Sequence, residues 1–148
     1  MENCVDGTQW FKTETRNGKT FVFDPVRQKM VALTPEEKVR QTVINYLVEK
    51  KGVPLRLMAS EHLVRVNGMA QRCDIAVFNR NGEPLLLVEC KSKTIKIDKS
   101  VFDQALRYFS VLKVKYIVLS NGCQTFCLHV SESGIKMLAD IPPYSEML

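Results

Sequence analysis

Arg72-Cys73-Asp74-Ile75-Ala76-Val77-Phe78 runs through Asn79-Arg80-Asn81-Gly82-Glu83-Pro84 into Leu85-Leu86-Leu87-Val88-Glu89-Cys90-Lys91. Two apolar runs joined by a tight polar segment with Asn-Gly predict a strand, a turn and a second strand. Leu85 to Cys90 is nearly continuous in apolar residues, the pattern of a strand buried on both faces. Such a strand needs helices on either side of the sheet. With the loop centred between Asn81 and Gly82, residue 74 falls opposite residue 89. Asp74 and Glu89 then share one face at the end of a hairpin, and alternation turns Lys91 to the same side while Cys90 points away.

Upstream, Thr34-Pro35-Glu36-Glu37 is a helix start. Thr34 is the N-cap, Pro35 fits the first helical position and Glu37 completes a capping box. Val39, Val43, Tyr46 and Leu47 form an apolar stripe that predicts a helix as far as Gly52. Glu36 steps by three and seven residues to Val39 and Val43. It is therefore the expected inward carboxylate, in preference to Glu37. Before this helix, Asn17-Gly18 predicts a hairpin between Trp10–Thr15 and Thr20–Asp24, with a short strand at Lys29–Leu33. Leu55–Val66 reads as a further strand.

Downstream, Asp98 or Ser100 starts a second helix to about Leu112. Val101, Phe102, Ala105, Leu106, Tyr108, Phe109 and Leu112 surround nearly all of it, which predicts burial on more than one side. Gln104 inside such a helix would be a buried amide needing partners. Val114–Ser120 and Cys123–Val130 are strands, and Gly134–Ala139 is expected to be a short helix. The order is that of a mixed sheet with helices packed on it, α/β in the α+β range. No repeat or linker divides residues 1–148, so one domain is expected, with 1–8 and 141–148 peripheral.

The 148 residues are 45% hydrophobic and 25% charged, which excludes a disordered or collagen-like chain. A chain this long buries roughly 68–70% of its unfolded surface and builds a core unaided. The longest apolar run, Pro84 to Val88, is too short for a bilayer, and no membrane association is expected. The N-terminus carries no basic-then-apolar pattern, so the expected compartment is the cytoplasm. Five cysteines, an odd number, read as reduced thiols. Cys123, Cys127 and His129 fall on one face of a strand and read as small core residues rather than metal ligands. The net charge of +5 is a weak pointer to nucleic acid, but residues 84–120 alone carry Lys91, Lys93, Lys96, Lys99, Arg107, Lys113 and Lys115 against Glu89, Asp98 and Asp103.

Two carboxylates pressed together repel unless a cation joins them. Oxygen ligands select a hard divalent ion such as Mg²⁺, with Mn²⁺ an alternative, and this ion accepts phosphate oxygens. Lys91, two residues on, is then placed to hold an attacking water or neutralise developing charge. The bland alternative is an Asp74–Lys91 ion pair with Glu89 exposed. Against it, Glu89 abuts the most buried-looking strand of the chain. Gln104 and Tyr108 are i, i+4 neighbours on one face of the second helix.

Asp74, Glu89-x-Lys91, a preceding helix carboxylate and a following Gln-x3-Tyr helix resemble the PD-(D/E)XK nuclease superfamily. More closely, the chain resembles the N-terminal nuclease domain of type I restriction enzyme R subunits. The segments that carry this are Phe23-Asp24-Pro25-Val26-Arg27, Leu33-Thr34-Pro35-Glu36-Glu37-Lys38-Val39-Arg40-Gln41, Arg72–Val77, Val88–Lys91, Asp103–Tyr108 and Val118-Leu119-Ser120-Asn121-Gly122. They lie in order over roughly residues 20–130. The resemblance implies a core of four mixed strands flanked by helices and metal-dependent cleavage of DNA, with Asp74, Glu89 and Lys91 catalytic. Asp74, Glu89 and Glu36 are the expected metal ligands. Gln104 and Tyr108 match a motif associated with DNA handling.

Cys73 stands where the family's Pro is expected, and Ser92-Lys93 where Ala-Pro is common. No phosphate-binding Gly-rich loop with Lys-Ser/Thr is present, so a complete restriction subunit is not expected. The functional expectation is a Mg²⁺-dependent deoxyribonuclease domain acting on DNA, with restriction-modification or other protein subunits as candidate protein partners. The alternative is a non-catalytic nucleic-acid-binding or interaction module on the same fold. Lys93, Lys96 and Lys99 alternate with Ile95 and Ile97. In an extended segment this would give an outward row of ammonium groups that contact phosphates, beside Gln104 and Tyr108.

Overall fold

The computed structural model describes residues 12–66, 68–110, 112 and 114–148. Residues 1–8 of the expected peripheral segment, and Trp10 and Phe11 of the first expected strand, lie outside the described residues. The chain forms a three-stranded sheet of β1 (Thr13–Arg16), β2 (Lys19–Asp24) and β3 (Lys29–Ala32), then α1 (Pro35–Lys51). Strands β4 (Met58–Val66), β5 (Met69–Phe78) and β6 (Pro84–Cys90) follow, then α2 (Lys99–Ser110), β7 (Tyr116–Ser120), β8 (Thr125–Ser131), β9 (Gly134–Leu138) and α3 (Tyr144–Met147). The larger sheet has six strands in the order β4-β5-β6-β7-β8-β9, two more than the four-stranded core implied by the resemblance. Its neighbours are antiparallel except β6 and β7, which are parallel and joined through α2, the connection a parallel pair requires.

Local chemistry sets the boundaries. Asn17 and Gly18 both adopt positive φ, 51° and 76°, as a tight hairpin turn demands. Thr34 caps α1 by accepting a hydrogen bond from the Glu37 N–H at 3.0 Å. Gly52 closes it in the left-handed conformation at φ 69°. Asp98, rather than Ser100, caps α2 through the Val101 N–H at 3.0 Å. Leu55–Leu57 is a short 3-10 turn, so the strand predicted from Leu55 starts at Met58.

β6 is buried as its apolar run predicts: Leu86, Leu87 and Val88 have no exposed surface. Leu86, Val88 and Cys90 pack in a cluster with Val39, Val43, Ile44 and Leu47 of α1. Leu87 packs in another with Phe109 and Leu112, in and just after α2. The sheet is thus sandwiched between α1 and α2. Each fully buried aliphatic side chain contributes about 1.5–3 kcal/mol, enough to anchor both helices.

Three expectations fail here. Residues 134–138 form strand β9, paired with β8, not a helix. An edge strand satisfies its backbone on a neighbour, and apolar spacing over six residues does not separate the two states. Residues 141–148 are not peripheral, because Ile141 and Met147 are buried in the α1 cluster. α2 is one-sided: Ala105 and Phe109 are buried while Lys99, Gln104 and Arg107 are exposed. Among the described residues, no helix is long and apolar enough to cross a membrane. Among the described residues, Cys73, Cys90 and Cys127 are free thiols.

Candidate active site

Ile75 pairs with Val88 across β5 and β6, so one further step sets Asp74 opposite Glu89, as the hairpin register predicts. Both line a cleft of about 250 Å³, together with Arg72, Cys73, Lys91 and, from α2, Val101, Gln104, Ala105 and Phe109. The Lys91 Nζ lies 3.3 Å from Glu89 Oε1. Its backbone N–H donates to the Ser120 carbonyl at 2.8 Å, which ties the strand end to β7. The bland alternative is therefore not what forms: Lys91 pairs with Glu89, and Asp74 pairs elsewhere.

Asp74 is held at both oxygens. Oδ2 accepts the Cys90 N–H at 2.6 Å, and Oδ1 accepts from Arg40 Nη2 at 3.1 Å. Arg40 Nη1 in turn donates to Glu37 Oε2 at 2.7 Å. Glu37 Oε1 also accepts from Arg27, which donates to buried Asp24 as well. A chain of charges thus runs from the β2–β3 turn through the first turns of α1 to β5. Burial pulls the Arg40 pKa down, but Glu37 and Asp74 more than offset it, so the guanidinium stays charged. Burial pushes the Glu37 carboxyl up against the pull of Arg40 and Arg27.

The inward carboxylate of α1 is thus Glu37, 4% exposed, and not Glu36, which is exposed. Glu37 lies on the buried side because its carboxylate has two arginines to meet. Glu36 does not line the cleft of Asp74 and Glu89 but a second one with Arg27 and Glu61, 3.8 Å from Arg40, and only its charge reaches Glu89. Glu61 was not singled out from the sequence. It sits in β4 at the register position opposite Asp74, with a left-handed φ of 48°. Its carboxylate lies 3.1 Å from Arg27 and 3.6 Å from Arg40. A non-glycine residue held there stores of order 1–3 kcal/mol of strain.

On α2, Gln104 is not the buried amide expected but an exposed side chain at the cleft rim. The side chain of Tyr108 lies outside the described residues. Lys93, Lys96 and Lys99 are exposed, yet they form no extended row: Ile95 N–H bonds back to the Ser92 carbonyl in a turn. Ile97 is buried, but Ile95 is 44% exposed. The turn is pinned from the residue after β7, where the Asn121 side chain donates to the Ile95 carbonyl at 2.8 Å.

Burial, then the Asp74 charge, raise the Glu89 pKa, and Glu36 adds to them; Lys91 only partly compensates. Among the described residues, no group of three or more His, Cys, Asp or Glu side chains is arranged to hold a metal ion. Two carboxylates with water completing the sphere nevertheless suit Mg²⁺, which takes one or two protein carboxylates. Burial lifts the Cys73 thiol to about 12, with Asp74 and Glu89 adding to it, so the group is a neutral thiol at pH 7.

The raised Glu89 carboxyl has a sign. An acid whose folded pKa exceeds its unfolded value costs stability once ionised, and that cost disappears below the unfolded value. Glu89→Gln should raise the thermal midpoint of the metal-free protein at pH 7 by roughly 2–4 °C, the shift about 1 kcal/mol makes at this size. The gain should vanish below about pH 4, where glutamate is protonated in both states. Melting curves at both pH values test it, and an equal gain at each would mean that packing, not charge, is responsible.

The mixed sheet between two helices, with Asp74 and Glu89-x-Lys91 at one end, defines a restriction-endonuclease-like domain. Residues 35–142 match the model of the family described as type I restriction enzyme R protein N terminus, and the chain belongs to that family. A solved fragment described as an HsdR subunit of a type I restriction enzyme from Vibrio vulnificus is similar in fold, with TM-score 0.56 and 17% identity over 76% of this chain. This chain spans 24% of that one. A DUF820 protein from Anabaena variabilis, described as a nuclease, aligns at TM-score 0.47 and 18% identity over 90% of this chain and 82% of its own. The search of curated proteins finds no match.

Proposed function

We propose that this domain is a metal-dependent deoxyribonuclease that hydrolyses DNA phosphodiester bonds, and that its protein partners are restriction-modification subunits. The observation that carries the reading is the convergence of Asp74, Glu89 and Lys91 on one cleft. Asp74 and Glu89 would hold Mg²⁺ or Mn²⁺, with Glu36 adding negative charge from outside the cleft. When bound, the ion supplies Lewis acidity toward a phosphate oxygen. Lys91 Nζ donates to the attacking water or to the charge that builds on phosphate. Glu89 keeps Lys91 in place at 3.3 Å. Gln104 at the rim, with Tyr108 one turn further along α2, positions the strand.

Purified protein should relax supercoiled plasmid in Mg²⁺ or Mn²⁺ and not in chelator. Failure on supercoiled, linear and single-stranded DNA alike would replace this reading with the second one, a non-catalytic nucleic-acid-binding module. That reading is favoured by one observation, that both Asp74 oxygens already have partners.

Lys93, Lys96 and Lys99 follow the catalytic strand and contact the phosphate backbone in this reading. Each lysine that neutralises a phosphate contributes about 0.9 to the slope of log affinity against log salt on duplex DNA. Replacing all three with Gln should flatten that slope by roughly two to three and weaken binding alike across sequences. Filter binding in Ca²⁺, across a salt series, measures it. An unchanged slope would place the DNA-binding surface elsewhere.

A further inference from the structure

We infer that Arg40 is a positioning residue that fixes the carboxylate of Asp74 for a divalent cation, and that Glu37 anchors it. The inference rests on the metal-dependent reading above and names what prepares the site. One hydrogen bond to a carboxylate holds one oxygen and leaves the plane of the group free to turn. The Cys90 N–H at 2.6 Å supplies that first bond to Oδ2. The Arg40 bond to Oδ1 at 3.1 Å supplies the second and fixes the plane. Each carboxylate oxygen has two lone pairs, so two of the four stay free for the cleft.

Arg40 is itself immobilised. It is 5% exposed, and Nη1 is bound at 2.7 Å to Glu37, which Arg27 grips from the other side. Its buried Nε has no hydrogen-bond partner among the described residues. The fork is therefore oriented for Glu37 and Asp74 at the expense of its own third donor. A planar two-nitrogen fork can bridge two carboxylates at fixed spacing; an ammonium group keeps the charge but not that geometry. Hydrogen bonds to ligating carboxylates of this kind tune metal affinity 10- to 100-fold.

The alternative within the same geometry is that Arg40 is only a counter-ion, whose charge opposes a cation. Two variants separate the ideas. Arg40→Lys keeps the charge and loses the fork. Glu37→Gln leaves Arg40 in place and removes its 2.7 Å charged anchor. Mn²⁺ binding is measured by electron paramagnetic resonance titration, with circular dichroism confirming folded protein at the titration temperature. The expected result is a single site in the wild type, weakened about 10- to 100-fold by Arg40→Lys. Glu37→Gln should weaken it in the same direction. A merely structural role would lower the melting temperature without moving the affinity of the folded protein. Mn²⁺ affinity within twofold of wild type in Arg40→Lys, or tighter, overturns the inference. If that variant does not fold, Glu37→Gln decides by the same criterion. No Mn²⁺ binding by the wild type would overturn the metal-dependent reading itself, and the inference with it.

Discussion

Lys91→Ala should abolish Mg²⁺-dependent cleavage, by roughly 10²-fold or more, with the fold intact. The magnitude is that of removing a group that stabilises charge in the transition state. Fold retention follows from the position of the side chain. It is 36% exposed, and among the described residues it pairs with Glu89, itself at the cleft. The backbone bond from Lys91 to Ser120 does not depend on the side chain. Losing the ammonium leaves Glu89 with Asp74 and Glu36 but without its cation, so the Glu89 carboxyl should become still harder to ionise. Single-turnover cleavage of a plasmid at saturating Mg²⁺ separates this from weaker DNA binding. If the single-turnover rate constant falls less than about fivefold, Lys91 is not part of the chemistry, and its role is confined to the ion pair. Lys91→Arg keeps the charge but not the compact ammonium, so a large loss there too would point to a specific contact with water or phosphate.

The central hairpin was legible because its information is local. An Asn-Gly loop of known length and a continuous apolar strand determine a register, and a register places Asp74 beside Glu89. The caps of α1 were equally legible, since Thr34 and Gly52 act within one turn of the helix. What could not be read was long-range. Glu36 and Glu37 differ by 100° on the helix, and the apolar stripe favours Glu36. The choice is reversed by Arg27, which arrives from a different sheet. Arg40 was within a quoted segment, and Glu37 and Arg40 are at i, i+3 spacing, a signal that points to an ion pair without saying that it is buried. Glu61 carried no signal, because a left-handed kink in a strand has no mark in Glu. Gln104 was read as buried because Val101, Phe102 and Leu106 are apolar. Each of these is only partly buried, since α2 packs on the sheet with one side and leaves the other to solvent. β9 failed for the same reason as residues 141–148: short segments take their state from the neighbour they pack on, not from their own pattern.

Arg40→Met should be strongly destabilising, costing about 3–5 kcal/mol. The reason is asymmetric. A buried ion pair contributes little net stability, because desolvation offsets attraction, but removing one partner strands the other. Here two carboxylates lose their shared cation, Glu37 at 2.7 Å and Asp74 at 3.1 Å, and Glu37 is already pushed toward protonation by burial. Methionine keeps the aliphatic stem, so packing loss is a minor contribution. Urea unfolding at pH 7 measures the effect as a lower midpoint at unchanged slope. Glu37→Gln in the Arg40→Met background removes a buried charge that Arg27 alone then has to balance and should restore part of the loss, since the amide oxygen still accepts from Arg27. Non-additivity of this kind is expected for residues in one network. The Asp74 charge remains, so full recovery is not expected. A cost under about 1 kcal/mol for Arg40→Met, or a double variant no more stable than the single one, would show that Glu37 is not held by Arg40. The link from the β2–β3 turn to Asp74 would then not exist in solution.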